Sequence, residues 1–508
     1  MRLMKYVAQL AAFALIVVAY AVPTSADVRL PALFSEHMVV QTGMDVPVWG
    51  WADPNEEVTV ELAGSSAKGK ADSDGKWRVK LAPLAVGGPH TMKVSGKNRL
   101  SVADVLVGEV WLGSGQSNMA MTVSRCFHAE DEAKVSDLPQ VRMFTVRSTA
   151  ADQPQADCNG EWVVCKRDTV GGFSATLFFT GREIHKALRR PVGLINSSVG
   201  GTPIESWIDA ATQRAEPKVA AFVAAIDDYE AKWDAAAATA NYEKQLARWK
   251  QLAANAKADG KPIPKKPNDP IENRARKGGL GGLFNGKINP LVGYALRGAL
   301  WYQGEANSQP GKSQYYGAQL AMLVSDWRSR WGQGDFPFAW VQLPNFSSNR
   351  PDWLVVRDEM RKTLALPHTG MAVTTDIGEQ DDIHPRNKQD VGKRLALWAL
   401  ATVYGKPIGY MGPLYKSATP SGDRIVVGFD FTDGIAAAGG KPLTGFEIAG
   451  ADKKWKAADA KIAGTNVVVS SAEVPQPLAV RYNWAELPTG NLTNGTGLPA
   501  SPFRSEAW

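Results

Sequence analysis

The sequence has few of the residues that build metal sites, and no large excess of charge of either sign. Its 508 residues include 3 cysteines and 6 histidines, and the histidines are scattered without ligand spacing to a cysteine or to one another. A zinc site is therefore not expected. The formal net charge of +6 is small for this length and is spread along the chain, so nothing supports a nucleic-acid partner.

Long apolar runs are also missing after the N-terminus. Residues 1–26 combine Arg2 and Lys5, an apolar stretch from Tyr6 to Val22, and small residues up to Ala26. This pattern is typical of a secretory signal peptide, and an uncleaved membrane anchor is the alternative. We expect a secreted or periplasmic protein with no membrane attachment after cleavage, since no later run is long enough to span a bilayer.

The three cysteines, Cys126, Cys158 and Cys165, lie close together in the sequence. In an exported protein, two of them are candidates for a disulfide. The sequence does not select the pair.

The pattern of the chain changes along its length. Residues 27–104 contain short apolar runs broken by turn residues, which predict an N-terminal β-sandwich-like domain. From 105 to 405, apolar strands alternate with helical stretches, which is typical of an α/β domain with a largely parallel sheet flanked by helices. An Ala-, Lys- and Glu-rich stretch at about 213–270 predicts a helical insertion, either a rim over the site or a solvated excursion. A C-terminal β-rich module follows at 406–508.

Within the α/β segment, the predicted strands are 105–112, 192–197, 295–302, 336–343 and 370–375, and a helix is predicted over 387–404. Reactive residues of such sheets lie in loops at the carboxyl ends of the strands. Ser117 follows the first of these strands, and His384 lies in the loop after the last.

Ser117 and His384 are the predicted catalytic residues. Serine is a poor nucleophile unless an imidazole takes its proton, and the imidazole works best when a carboxylate orients it. Three carboxylates compete for that role: Asp376, Asp381 and Asp382. The combination predicts a serine hydrolase.

Two other strand ends offer hydrogen-bond donors for an oxyanion. Gly200 and Gly201 allow backbone N–H groups to approach a substrate oxygen closely, and Gln303 has a side-chain amide to donate. The alternatives are ordinary turn glycines at the first position and buried polar groups that hold adjacent loops at the second. Asn118 and Glu305 are the predicted substrate-binding residues.

Five ordered motifs resemble the sialate O-acetylesterase family, a branch of the SGNH hydrolases. They occupy residues 115–119, 200–207, 284–288, 301–307, and 383–388 with 394–396. Two positions remain open. The general SGNH pattern selects Asp381, whereas members reading Asp-Ile-His-Pro point to Asp382, which we favour slightly. The usual Gly-x-Asn block is also altered, because Glu305 and Ala306 separate Gly304 from Asn307.

The resemblance implies a carbohydrate O-acetylesterase that works through an acetyl-enzyme. Ser117 would attack the acetyl carbonyl and His384 would transfer the proton, while N–H groups of Ser117 and of Gly200 or Gly201, with Gln303, would hold the oxyanion. No metal or organic cofactor is needed.

The substrate would be an O-acetylated sugar, either acetylated sialic acid or a plant polysaccharide such as xyloglucan or xylan. Trp207, Trp301 and Trp353 are candidates for stacking on its rings. A lipase or thioesterase, or an inactive glycan-binding protein, are the competing functions.

Overall fold

The computed structural model describes residues 27–350, 352–506 and 508 of the chain. The predicted signal peptide, residues 1–26, lies outside the described residues. Within them, no helix is both long and apolar enough to cross a membrane.

The chain begins with seven strands. Side chains along β3 and β5 alternate between buried and exposed, so each strand turns one face toward a shared core. The strands are β1 (Val39–Gln41), β2 (Val46–Trp51), β3 (Glu57–Leu62), β4 (Ser65–Lys70), β5 (Lys76–Leu81), β6 (Gly87–Ser95) and β7 (Arg99–Gly115). Strands β2 and β5 form a separate antiparallel pair, while β1, β3, β4 and β6 connect to β7.

Strand β7 belongs to two parts of the molecule. Its first half pairs with β6 and, at Leu106–Gly108, with β1. Its second half, from Glu109 to Gly115, lies inside the larger sheet. The strand therefore runs through the boundary predicted at 104/105 and carries the chain from the N-terminal strands to Ser117. The four-segment division of the chain remains a prediction.

The larger sheet has the order β13-β12-β11-β7-β10-β8-β9. All neighbouring strands are parallel except β9, which pairs with β8 in the antiparallel sense. Its remaining strands are β8 (Leu138–Thr145), β9 (Trp162–Cys165), β10 (Val192–Ser198), β11 (Gly298–Tyr302), β12 (Phe338–Val341) and β13 (Thr369–Ala372). Adjacent residues such as Leu300 and Trp301 belong to two different hydrophobic clusters, one on each face of the sheet.

Helices cover both faces, with α3 packed against α10 and α8 against α9. They are α1 (Ser117–Ala120), α2 (Ala129–Lys134), α3 (Ala175–Leu188), α4 (Ala210–Ala215), α5 (Ala220–Lys232), α6 (Ala235–Ala258), α7 (Pro270–Lys277), α8 (Tyr316–Trp331), α9 (Asp352–Thr363) and α10 (Lys388–Thr402). In the predicted insertion, α5 buries Phe222 and Val223, whereas α6 buries no side chain.

The chain ends in short strands with their own hydrophobic cluster. They are β14 (Leu414–Ser421), β15 (Arg424–Asp430), β16 (Ala436–Ala437), β17 (Phe446–Ala449), β18 (Lys456–Ala457), β19 (Asp459–Ala463), β20 (Asn466–Ser470), β21 (Ala479–Tyr482), β22 (Leu492–Thr493) and β23 (Phe503–Arg504). The predicted fold class, an α/β layer with additional β-rich parts, is confirmed. Strands β8 and β9 were not predicted.

A buried carboxylate joins the N-terminal strands to the larger sheet. Glu109 is fully buried, and its oxygens accept hydrogen bonds from Arg190 at 2.9 Å, Arg297 at 2.7 Å and Gln41 at 3.1 Å. Burial raises the pKa of this carboxyl, but Arg297 and the other donors outweigh it and the pKa lies below the ordinary value. Because Gln41 belongs to β1, the cluster fixes β1 against the strand that leads to Ser117.

The expectation of a disulfide is wrong. Cys126, Cys158 and Cys165 are all free and buried. Cys158 lies in one hydrophobic cluster and the other two lie in a second, where the Cys165 thiol donates to Ser136 O and the Cys126 thiol to Thr122 O. Burial raises the pKa of Cys126 to about 11, and the pKa values of Cys158 and Cys165 to about 12.

Thiol titration tests this arrangement. The native protein should react negligibly with 5,5′-dithiobis(2-nitrobenzoic acid) at pH 8, because buried neutral thiols are poor nucleophiles. After unfolding in guanidinium without a reductant, all 3 cysteines should titrate. A single reactive thiol in the unfolded chain would instead demonstrate a disulfide.

Candidate functional site

The sharp turn after β7 places Ser117 at the carboxyl end of the sheet. Gly115 has φ +131°, and a β-carbon there would lie 2.2 Å from Tyr302 O, so the turn requires glycine. Gln116 N donates to Tyr302 O at 3.0 Å, which ties the turn to β11. Ser117 then begins the single-turn helix α1 and remains half-buried.

His384 meets Ser117 across the sheet end. Its Nε2 lies 2.9 Å from Ser117 Oγ, although the two residues are 267 positions apart in the chain. The histidine side chain is 31% exposed, so a substrate has access to the pair. This is the hydrogen bond that a serine nucleophile and its general base require.

Asp382 is the carboxylate that contacts the histidine. Its Oδ1 accepts the backbone N–H of His384 at 2.8 Å and lies 3.5 Å from His384 Nδ1. Asp376 instead forms an ion pair with Arg394 at 2.6 Å. Asp381 is exposed and forms no ion pair with any described residue. Of the three candidate carboxylates, Asp382 is therefore the one that contacts the His384 residue.

Asn118 and Glu305 are bonded to each other in the interior of the protein, next to Ser117. Both are buried, and Asn118 Nδ2 donates to Glu305 Oε1 at 2.6 Å and to Ile383 O at 2.9 Å. The other Glu305 oxygen accepts from Gln116 Nε2. Through these bonds the two residues hold the Ser117 turn and the His384 loop together, and substrate binding by them stays a prediction.

Lys388 completes this network and was not singled out from the sequence. Its buried Nζ donates to Asn118 Oδ1 at 2.8 Å and to Pro385 O at 2.6 Å. Burial lowers the pKa of Lys388 to about 8. Lys388 is the last residue of the motif at 383–388 and the first residue of α10, and this placement is the sequence signal that could have indicated the role.

Gly200 lies directly against Ser117. A β-carbon on Gly200 would be 3.3 Å from Ser117 Cβ and 3.9 Å from Ser117 N. Neither backbone N–H, of Ser117 or of Gly200, donates to another described residue. A β-carbon on Gly201 would instead have the guanidinium of Arg276 as its nearest neighbour, at 3.8 Å, and no atom of Ser117 within 4 Å.

Gln303 does not present its amide to Ser117. Its Nε2 donates to Asn307 Oδ1 at 2.7 Å and to Thr202 O at 3.2 Å, so both amide hydrogens are used. Asn307 Oδ1 also accepts from Ile204 N at 3.0 Å. The role of Gln303 as an oxyanion donor stays a prediction, and the alternative, a buried polar group that holds adjacent loops, matches these bonds. The residue holds the loop that begins at Gly200.

The tryptophans proposed for sugar stacking are core residues. Trp207, Trp301 and Trp353 are each 0% exposed. Trp207 packs edge-on against Trp301, with ring centroids 6.1 Å apart. Their placement corrects the stacking expectation. Among the residues that the structure describes, no group of three or more His, Cys, Asp or Glu side chains is arranged to hold a metal ion.

A family model described as "Carbohydrate esterase, sialic acid-specific acetylesterase" matches residues 107–257 and 286–401, which include both Ser117 and His384. The chain belongs to this family. Membership makes the protein a carboxylic-ester hydrolase and confirms the predicted class, a carbohydrate O-acetylesterase.

Relatives of this esterase match over most of their length. Sialate O-acetylesterase of Rattus norvegicus is 29% identical over 94% of each chain, and that of Homo sapiens is 30% identical over 76% of this chain and 73% of the human one. The solved structure of a carbohydrate acetylesterase from Xanthomonas citri has a TM-score of 0.81 and 35% sequence identity, covering 95% of this chain and 100% of that one.

Replacing Lys388 tests the hydrogen-bond network that Asn118, Glu305 and Lys388 form next to Ser117. Lys388→Met leaves two buried oxygens without a donor, and losing such partners costs on the order of 1–3 kcal/mol. We expect kcat/KM for 4-nitrophenyl acetate to fall at least about tenfold. Lys393→Met, an exposed lysine on the same helix, is the matched control. Equal activity of the two variants would show that the network does not position the catalytic pair.

Proposed function

We propose that the protein removes O-acetyl groups from a sialic acid through a serine acetyl-enzyme. The observation that carries the mechanism is the 2.9 Å contact between His384 Nε2 and Ser117 Oγ. The substrate assignment draws on the family description and on the sialate O-acetylesterases of rat and human.

In the first half-reaction, His384 Nε2 takes the proton as Ser117 Oγ attacks the acetyl carbonyl. The tetrahedral oxyanion is held by the backbone N–H groups of Ser117 and Gly200, which lie side by side and donate to no other described residue. His384 then gives the proton to the departing sugar hydroxyl. Asp382 favours the imidazole tautomer that carries its hydrogen on Nδ1.

In the second half-reaction, water replaces the sugar. His384 takes a proton from the water, which attacks the acetyl-Ser117 carbonyl, and the oxyanion is held by the same donors. Collapse of the intermediate releases acetate, and the proton returns to Ser117 Oγ. Neither half requires a metal or organic cofactor.

Export is the second part of the proposal. The charged, apolar and small-residue pattern of residues 1–26 supports cleavage near Ala26 and a secreted or periplasmic site of action. Mass spectrometry of the protein purified from its native host would give the mature N-terminus. A chain that retains Met1 would contradict this part without affecting the chemistry.

Acetate release from a substrate panel tests the activity. Wild type should release acetate from 4-nitrophenyl acetate and from O-acetylated sialic acid, and Ser117→Ala should lower kcat/KM at least about 1,000-fold while keeping the circular dichroism spectrum. Faster release from acetylated xyloglucan or xylan would move the substrate to plant polysaccharide. Rates that rise with acyl chain length beyond acetyl would indicate a lipase or thioesterase, and glycan binding without release would indicate a binding protein.

The two adjacent aspartates provide a matched comparison. Asp382→Asn should lower kcat by about 10- to 100-fold, less than for a fully buried triad aspartate, because the side chain is 54% exposed and 3.5 Å from the ring. Asp381→Asn should have a much smaller effect, since it changes only an exposed charge. A larger loss from Asp381→Asn would assign the orienting role to that residue instead.

A further inference from the structure

A cavity of about 370 Å³ separates the helical insertion from the loop that begins at Gly200. Pro203, Glu205 and Ser206 of that loop form one wall. Since consecutive Cα atoms are 3.8 Å apart, Pro203 lies at most about 11 Å from Gly200 and hence close to the nucleophile. The cavity is therefore within the length of one or two sugar units of the loop that contacts Ser117.

The opposite wall comes from the insertion and carries aromatic side chains. Tyr229 of α5 is 60% exposed, and Trp233 follows the end of the same helix. The Arg274 guanidinium lies over the Trp233 ring at 4.4 Å and pairs with Glu230. Exposed aromatic surface beside charged groups suits a sugar, which has apolar ring faces and polar edges.

The charges around the cavity do not cancel. Glu205 is bonded to Lys312 at 2.8 Å, and Glu230 is paired with Arg274, which neutralises both acids. Lys277 also lines the cavity and has no acidic partner within hydrogen-bonding distance among the described residues. It is half-buried, and burial together with Arg276 and Lys312 lowers its pKa. A half-buried ammonium among other cations favours an anionic ligand.

Arg276 connects a residue of the cavity wall, Asn273, to the loop that begins at Gly200. Its guanidinium donates to Gly200 O and to Asn273 Oδ1, the latter at 2.7 Å. Helix α7, which follows the insertion, thus contacts the backbone of the residue that lies against Ser117. The insertion itself contributes Tyr229 and Trp233 to the cavity wall, which favours the rim alternative over the solvated excursion.

We propose that the cavity is a subsite for a carboxylate-bearing sugar of the substrate, with Lys277 as the counter-charge and Tyr229 and Trp233 as the apolar wall. The inference rests on the proposed function and deepens it. The carboxylate has two possible sources: the acetylated sugar itself, as in a sialic acid, or a neighbouring uronic acid in a polysaccharide. Both present the same group to Lys277.

The test compares kcat/KM for acetate release from a charged substrate with kcat/KM for its uncharged counterpart. Acetate release is followed for O-acetylated N-acetylneuraminic acid and for its C1 methyl ester, and separately for acetylated glucuronoxylan and its carboxyl-reduced form. Wild type should prefer the charged member of a pair. Lys277→Gln should lower that preference about tenfold, mainly through KM, because a hydrogen bond to a charged group is lost. Lys277→Arg should retain most of the preference, and Lys265→Gln, an exposed lysine in the same insertion, is the matched control.

Each outcome is decisive. If Lys277→Gln lowers the preference for the charged neuraminic acid over its methyl ester, the carboxylate belongs to the acetylated sugar. If the preference falls only for glucuronoxylan over its carboxyl-reduced form, the carboxylate belongs to a neighbouring unit. An unchanged ratio in Lys277→Gln for both pairs, with active wild type, overturns the subsite while leaving the esterase intact. Absence of acetate release from wild type overturns the proposed function itself.

Discussion

The buried Glu305 carboxylate is the interaction on which the site depends. It accepts hydrogen bonds from Gln116 and Asn118, the two residues that flank Ser117. A buried charge is tolerated only when its lone pairs are satisfied and a counter-charge is near, and Lys388 supplies that charge through Asn118. The same Asn118 also reaches Ile383 O, next to His384. One carboxylate therefore fixes two loops that are far apart in sequence.

These buried polar groups explain how Ser117 and His384 are kept aligned. Both residues are only partly buried. Their alignment comes from the buried polar groups beneath them, and on the other side from Gln303 and Asn307, which hold the loop of Gly200. Preorganised donors of this kind need no rearrangement when charge develops during the reaction.

The sequence was sufficient for the fold class, because strand periodicity and strand-end motifs are local signals. It also pointed to Ser117 and His384, whose side chains lie 2.9 Å apart and whose catalytic roles stay a prediction. It was insufficient where the answer depends on the direction of a side chain. Asn118, Gln303 and Glu305 lie in strand-end motifs like the reactive groups, but their amides and carboxylate are bonded to protein partners in the interior. Asp381 and Asp382 are neighbours in one turn, so only the backbone geometry distinguishes them. Strands β8 and β9 were missed because their apolar stretches are short and flanked by polar residues.

Strand β7 has a consequence for the architecture as a whole. Side chains alternate along a strand, so a slip of one residue would move the side chains of β7 to opposite faces just before the turn that leads to Ser117. The N-terminal strands β1 and β6 pair with the first half of β7, and Gln41 anchors its midpoint through Val110 N and Glu109. The N-terminal strands thus fix the register of β7, the strand that leads to Ser117. Removing them would leave an unpaired strand edge, which is open to aggregation.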